Sequence, residues 1–177
     1  MEESLKKIRQ YSLSNDDINA ILDPDTKIFS YPKFADMKHI DEAFDNLGRC
    51  VFLFLTESES SGHWVCMFKR GNVIEYFDSY GEKPEAQRSW LTQERLEELH
   101  QGHPYLMDLL KKSGYKVYYN TVQYQKDKRD VNTCGRWVVA RLVCKDLTNH
   151  EFYNLVKKSG YSPDDWVALF TYEILGK

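Results

Sequence analysis

Long apolar stretches are absent from this sequence of 177 residues. The longest apolar run covers residues 51–55 (VFLFL), well short of the ~20 apolar residues that a membrane-spanning helix needs. The N-terminal sequence MEESLKKIRQ lacks the apolar core of a secretory signal peptide. We therefore expect neither a membrane protein nor a secreted one.

Metal-binding patterns are also absent. The four cysteines include no CxxC pair, and no two histidines have the spacing of zinc ligands. We expect no metal ion and no organic cofactor. Cys50 and Cys66 lie in apolar, strand-like runs, where free cysteine is common, so reduced thiols in the cytoplasm or nucleus are predicted. Two disulfides, formed with Cys134 and Cys144, are the alternative.

Neither sign of charge dominates the sequence, because it has 24 Lys and Arg residues and 27 Asp and Glu residues, for a formal net charge of −3. Nucleic-acid-binding domains usually carry a basic surface, so no nucleic-acid partner is predicted. The chain has no internal repeat and no low-complexity linker. We expect residues 1–177 to form one domain, which could itself belong to a longer protein.

Periodicity and turn signals predict an α+β fold. Ser14 begins a capping box before an apolar helix that stops at Asp23 and Pro24, and a second short helix is predicted for residues 40–46. A turn at Gly71 separates two of the predicted strands, which cover residues 50–56, 64–69, 73–77 and 116–120. Further helices are predicted for residues 92–112 (with a break near 102–104), 134–146 and 151–158, and from Ser162 onwards. Trp90 and Trp166 are expected to pack between helices.

Three short segments carry residues suited to thiol catalysis: GHW at 62–64, FDSYG at 77–81 and NTCGRW at 132–137. Cys134 is predicted to begin a helix, where the helix dipole and the unpaired N–H groups favour a thiolate. His63 can take the thiol proton, and Asp78 can orient the imidazole. In a hairpin turning near Gly71, His63 and Asp78 come to the same open end. We therefore predict a catalytic triad, although each segment alone is more often an ordinary strand end, turn or helix start.

The series His63-Trp64, Phe77-Asp78 and Cys134-Gly135 resembles the SUMO-protease and adenovirus-proteinase superfamily of cysteine peptidases, and looks most like its large-DNA-virus and mobile-element members. The resemblance extends over residues 48–145. It implies a papain-like core of the adenovirus-proteinase type, with a central mixed sheet flanked by helices. It also implies a glutamine that forms an oxyanion hole with the Cys134 N–H. Gln125 is preferred over Gln123, although both precede Cys134 by more residues than is usual in the family.

The resemblance also suggests a substrate. In this family an aromatic residue after the catalytic histidine covers a narrow channel, which implies cleavage after Gly. The resemblance assigns this role to Trp64, and the alternative is that Trp64 is a core residue. Gly135 has no side chain and leaves room for a substrate backbone. Ubiquitin or ubiquitin-like conjugates, whose tails end in Gly-Gly, are the preferred substrates, and viral polyprotein or capsid precursors are the alternative. An inactive module that binds ubiquitin-like proteins is a third hypothesis. The expected location is the host cytoplasm or nucleus, or the virion.

Overall fold

Five strands form one mixed sheet at the centre of the computed structural model, which describes residues 2–176. Their order in the sheet is their order in the chain. The outer pairs, β1 with β2 and β4 with β5, are parallel, whereas β2, β3 and β4 are antiparallel. The strands are β1 (Lys27–Ser30), β2 (Arg49–Ser58), β3 (Ser61–Arg70), β4 (Val73–Phe77) and β5 (Lys116–Tyr119).

Helices cover both faces of this sheet. The α-helices are α1 (Glu2–Gln10), α2 (Asn15–Leu22), α3 (Gln93–Glu98), α4 (Tyr105–Lys112), α5 (Cys134–Val143), α6 (Asn149–Lys158) and α7 (Pro163–Leu175). Three 3₁₀ helices span Tyr31–Asp36, Ile40–Ala43 and Ala86–Trp90. The predicted α+β class, with a mixed sheet flanked by helices, is confirmed. No helix between residues 2 and 176 combines the length and the apolarity needed to cross a bilayer.

The central strands are apolar on both sides because each face of the sheet has its own core. Val51 and Cys66 face a cluster with residues of α2, α5, α6 and α7. Their neighbours Cys50 and Met67 face a second cluster, which includes residues of α3 and α4 and of two 3₁₀ helices. Since successive strand residues point to opposite faces, a strand buried on both sides reads as a continuous apolar run. The run at residues 51–55 therefore fits the middle of the sheet.

Helix α5 lies deep in the first core, and eight of its ten residues are buried. A helix that is buried all round has no solvent-facing side. Even Arg141 is fully buried, where its guanidinium donates to the carbonyl oxygens of Cys144 and Leu147, both at 2.9 Å. These bonds satisfy carbonyl groups just beyond the end of the helix. The packing holds the N-terminal end of α5 firmly against the sheet.

The local predictions are largely confirmed. Ser14 and Asp17 form the predicted capping box of α2, and that helix ends before Pro24. The helix predicted at residues 92–112 is divided into α3 and α4 at the expected break. The second short helix is present as the 3₁₀ helix Ile40–Ala43. By contrast, β1 lies in a region for which we expected no strand, and its four residues are stabilised by pairing with the buried β2.

Candidate active site

His63 and Asp78 are brought together by the hairpin of β3 and β4. The register pairs Cys66 with Phe77, so Asp78 lies just past the last paired residue and diagonally opposite His63. The two side chains are joined at 2.7 Å between His63 Nε2 and Asp78 Oδ1. His63 is 5% exposed and Asp78 is fully buried. Because water cannot compete at such a site, this hydrogen bond fixes the plane of the imidazole ring.

The Asp78 carboxylate is held through both oxygens. Oδ1 also accepts a hydrogen bond from the backbone N–H of Tyr80 at 2.9 Å. Oδ2 accepts from Nε2 of Gln87, a buried residue of the 3₁₀ helix Ala86–Trp90. The amide side chain of Asn120 bonds both the N–H and the carbonyl of Asp78, at 3.1 and 2.8 Å. The carboxylate therefore points at His63 without freedom to turn away.

Cys134 is the first residue of α5, as predicted. Thr133 occupies the cap position without a side-chain cap hydrogen bond, and its hydroxyl donates to the buried Asp164 at 2.7 Å. The helix start also lies very close to its neighbours. A Cβ atom at Gly135 would come within 3.0 Å of Leu13 and 3.1 Å of Trp64, so glycine permits the close approach. The geometry leaves the dipole of α5 directed at the thiol.

The Cys134 thiol lies beside the His63 imidazole, close enough for each group to shift the pKa of the other. Since Asp78 engages Nε2, the ring atom that faces the thiol is Nδ1. Burial opposes the charged imidazolium, but the charge and hydrogen bond of Asp78, with those of Cys134, raise the pKa of His63 to about 10. Burial likewise opposes the thiolate, yet the His63 partner and backbone hydrogen bonds from Trp64 and Gly135 lower the pKa of Cys134. The site favours a thiolate–imidazolium pair.

The predicted oxyanion residues lie in the loop between β5 and α5. Gln125 is buried, and its Oε1 accepts from the Ser79 hydroxyl at 2.7 Å. Its Nε2 donates to the Val131 carbonyl at 3.2 Å, which leaves the second amide hydrogen available to another acceptor. Gln123 is exposed and donates to the Gln125 carbonyl at 3.1 Å. Both glutamines line the same cleft as Cys134.

That cleft has a volume of about 1010 Å³ and opens directly onto His63 and Cys134. One wall comes from β2, β3 and the segment after β4, and it carries the acidic Glu57 and Glu82. The other wall is formed by the loop before α5 and contains residues of both charges, Asp127, Lys128 and Arg129. A cleft of this size takes several residues of an extended peptide.

The predicted channel residues lie beside the cleft, outside its lining. Trp64 packs on Gly135, and its Nε1 donates to the Leu13 carbonyl at 3.1 Å. Its role at the substrate stays a prediction. The aromatic residues that do line the cleft are Tyr80 and Trp90. The expected position of Trp90 between helices is therefore wrong, because its ring lies 5.3 Å from that of His63 and is 42% exposed.

The other cysteines are unlike Cys134. All four are free thiols, so the disulfide alternative is wrong. Cys50 and Cys66 are fully buried, and burial raises the pKa of each thiol. Burial also raises the pKa of Cys144. Within residues 2–176, no three His, Cys, Asp or Glu side chains are grouped closely enough to hold a metal ion.

Comparisons with known proteins find one sequence relative and one structural neighbour to report. It is 39% identical over 174 residues to the uncharacterized protein V9 of Sputnik virophage, which covers 96% of this chain and 99% of that protein. The crystal structure of the ASFV pS273R protease is 16% identical, with a TM-score of 0.47, and the match covers 94% of this chain and 68% of that one. No family model matches the sequence.

Proposed function

We propose that this chain, which belongs to the same family as protein V9 of Sputnik virophage, is a cysteine peptidase with Cys134 as its nucleophile. The supporting observation is one arrangement of three side chains. His63 is hydrogen-bonded to Asp78 through Nε2 and lies beside the Cys134 thiol, and the three residues stand at a peptide-sized cleft. Three separate segments of the chain contribute these side chains, which is the arrangement that thiol catalysis needs.

In the proposed reaction, the Cys134 thiolate attacks the carbonyl carbon of the scissile peptide bond. The resulting oxyanion is stabilised by the Cys134 N–H and the free amide hydrogen of Gln125. The C–N bond then breaks, and His63 gives its proton to the leaving amine, which leaves a thioester on Cys134. Water attacks that thioester while neutral His63 takes a proton, and release of the acid restores the thiolate–imidazolium pair. Asp78 keeps the ring oriented through both half-reactions.

The two glutamines differ in expected effect. Gln125→Leu removes the proposed oxyanion donor and should lower kcat by about 10²–10³-fold with little change in KM, because the donor acts on the transition state. Gln123→Leu is the matched control, since Gln123 lines the same cleft but is exposed. Steady-state kinetics on a Gly-containing peptide measure both. A larger loss in Gln123→Leu would transfer the oxyanion role to that residue.

The sequence resemblance supports cleavage of the peptide bond that follows a glycine. The relative of known source is a virophage protein that matches along almost the whole chain, which favours a virus-encoded precursor as the substrate. Ubiquitin-like conjugates are the second candidate, because their tails end in Gly-Gly. A virus-encoded precursor would be processed in the infected host cell or in the virion.

A direct comparison separates these substrates. The purified protein is incubated with propargylamide probes of ubiquitin and SUMO, and in parallel with peptides that contain Gly-Gly followed by varied residues. We expect cleavage of the peptides, and none by Cys134→Ala. Covalent adducts with a ubiquitin-like probe that disappear in Cys134→Ala would move the assignment to ubiquitin-like substrates. Binding of a ubiquitin-like protein without any turnover would instead favour an inactive binding module.

A further inference from the structure

The 3₁₀ helix Ala86–Trp90 lies directly behind the His63–Asp78 pair, and two of its side chains reach that pair. A 3₁₀ helix has three residues per turn, so residues i and i+3 lie on the same edge. Gln87 and Trp90 have this spacing. Gln87 donates to Oδ2 of Asp78, and the Trp90 ring lies 5.3 Å from the His63 ring at an interplanar angle of 68°.

Tyr80 completes the surroundings of the imidazole. Its ring stacks on that of His63 at 5.0 Å and 19°, and it meets the Trp90 ring edge-on at 5.8 Å and 79°. Aromatic rings within about 6 Å of a cation attract it through their negative faces. The imidazole therefore has one aromatic ring stacked on its face and a second that is steeply inclined to it, while Asp78 holds Nε2 and Cys134 lies beside the ring.

The helix is held in place at several points that have no part in the chemistry. The Arg88 guanidinium donates to the carbonyls of Gln101 and Gly102. The buried Glu85, which precedes the helix, accepts from the backbone N–H groups of Leu106 and Met107 at 2.9 and 3.2 Å. Glu85 has φ of 63°, a left-handed conformation that a non-glycine residue keeps only where its surroundings hold it.

The orientation of Gln87 is also fixed. The Tyr76 hydroxyl donates to Gln87 Oε1 at 3.3 Å, so the NH₂ group is the end that faces Asp78. Gln87 is 1% exposed. An amide buried and oriented in this way acts as a fixed donor to the carboxylate.

We propose that the 3₁₀ helix Ala86–Trp90 is a positioning element of the active site, in which Gln87 fixes the Asp78 carboxylate and Trp90, with Tyr80, holds the His63 ring as a cation. This inference rests on the proposed function, because it gives a role to residues around the proposed catalytic acid. Neither Gln87 nor Trp90 contacts the reacting thiol; each acts through another residue. The arrangement stabilises the thiolate–imidazolium pair relative to the neutral pair, since only the charged ring gains from the aromatic faces.

Several charged and titratable groups lie around His63. Asp78 is hydrogen-bonded to it, Cys134 lies beside it, and Tyr80 lies on its face with a pKa that burial raises to about 12, so the Tyr80 hydroxyl stays neutral through the working range. The cleft adds exposed groups, which are Glu57 and Glu82 on one wall and Asp127, Lys128 and Arg129 on the other. Trp90→Leu and Gln87→Leu leave all eight of these groups in place.

The test measures the ion pair directly and needs no peptide substrate. The pH midpoint of iodoacetamide alkylation of Cys134 reports thiolate formation, and the ring resonance of His63, assigned with His63→Ala, reports the imidazolium. We expect Trp90→Leu to raise the alkylation midpoint and to lower the His63 midpoint, each by about one pH unit, a tenfold loss of the pair. Trp90→Phe keeps an aromatic ring, so both midpoints should stay close to their wild-type values. Gln87→Leu should shift both midpoints in the same directions.

Tyr118→Ala serves as the control, because Tyr118 is an exposed aromatic residue of the edge strand β5. A wild-type alkylation midpoint below 8.5 that Trp90→Leu and Gln87→Leu leave unchanged would overturn this inference alone. A wild-type midpoint near 8.5 would overturn both the inference and the proposed function. A lowered, Trp90-dependent midpoint without hydrolysis of any peptide would support the inference and overturn the proposed function.

Discussion

Iodoacetamide at pH 6 should alkylate a single one of the four thiols, and that thiol should be Cys134. Only thiolates react at a useful rate, and Cys134 alone has a pKa below the ordinary thiol value. Burial raises the pKa of Cys50, Cys66 and Cys144, so these three stay protonated at this pH. Intact-mass measurement should show one adduct on the wild-type protein and none on Cys134→Ala.

The same reagent tests the source of the low pKa. In His63→Ala the thiol loses the positively charged neighbour that lowers its pKa, while its burial remains. The alkylation midpoint of Cys134 should then rise above its wild-type value, and hydrolysis should fall by about 10⁴–10⁶-fold, as for the loss of a residue that acts as part of a triad. Adducts on Cys144 at pH 6, or alkylation of Cys134 that does not depend on His63, would contradict the proposed ion pair.

The positions of the proposed triad residues were predictable because each depends on local signals. A tight turn at Gly71 joins two strands, so a short count of residues places His63 and Asp78 near the same end. The apolar pattern of α5 begins just after Thr133 and Cys134, so the sequence predicts that these residues lie at the start of the helix. The exact register could not be read from the sequence, because a shift of one residue exchanges the two faces of a strand.

The surroundings of the triad depend on contacts between distant parts of the chain, and these were missed. Gln87 and Trp90 belong to a 3₁₀ helix whose position is set by Glu85 and Arg88, through bonds to residues thirteen or more positions away. No periodic pattern marks so short a helix. The partner of the Thr133 hydroxyl is equally remote, since Asp164 lies at the start of α7. Such partners become visible only in the folded chain.

Ser79 shows how the FDSYG segment links the two sides of the site. Its neighbour Asp78 orients His63, while its own hydroxyl holds Oε1 of Gln125 and its carbonyl accepts from the Gln125 N–H at 3.0 Å. Asp78 and Ser79 therefore hold His63, the proposed acid–base residue, and Gln125, the proposed oxyanion donor, from two consecutive positions. The two residues lie in the turn after β4, in which the Gly81 N–H donates to the Asp78 carbonyl at 2.9 Å.

Asp78→Asn should lower kcat by about 10⁴-fold while leaving the fold intact, because Asn has nearly the same shape but no charge and presents the wrong partner to the imidazole. The pKa of His63, about 10 with the carboxylate, must fall when that charge is removed, since burial then acts against the imidazolium without opposition. The pKa of Cys134 should rise in turn, because its cationic partner is lost at a lower pH. The lower pH limit of hydrolysis should therefore rise and the upper pH limit should fall.

Glu75→Gln provides the matched control for this experiment. Glu75 is a buried carboxylate on β4, three residues before Asp78, and it pairs through the sheet with Phe68 and Tyr118 rather than with the triad. Neutralising Glu75 should leave the pH limits of hydrolysis where they are, whereas neutralising Asp78 should move both. Kinetics of the two variants from pH 5 to about 10 make the comparison, with circular dichroism as the check on folding. Equal losses in both variants would mean that Asp78 acts only as a buried structural charge, and unchanged pH limits in Asp78→Asn would remove it from the triad.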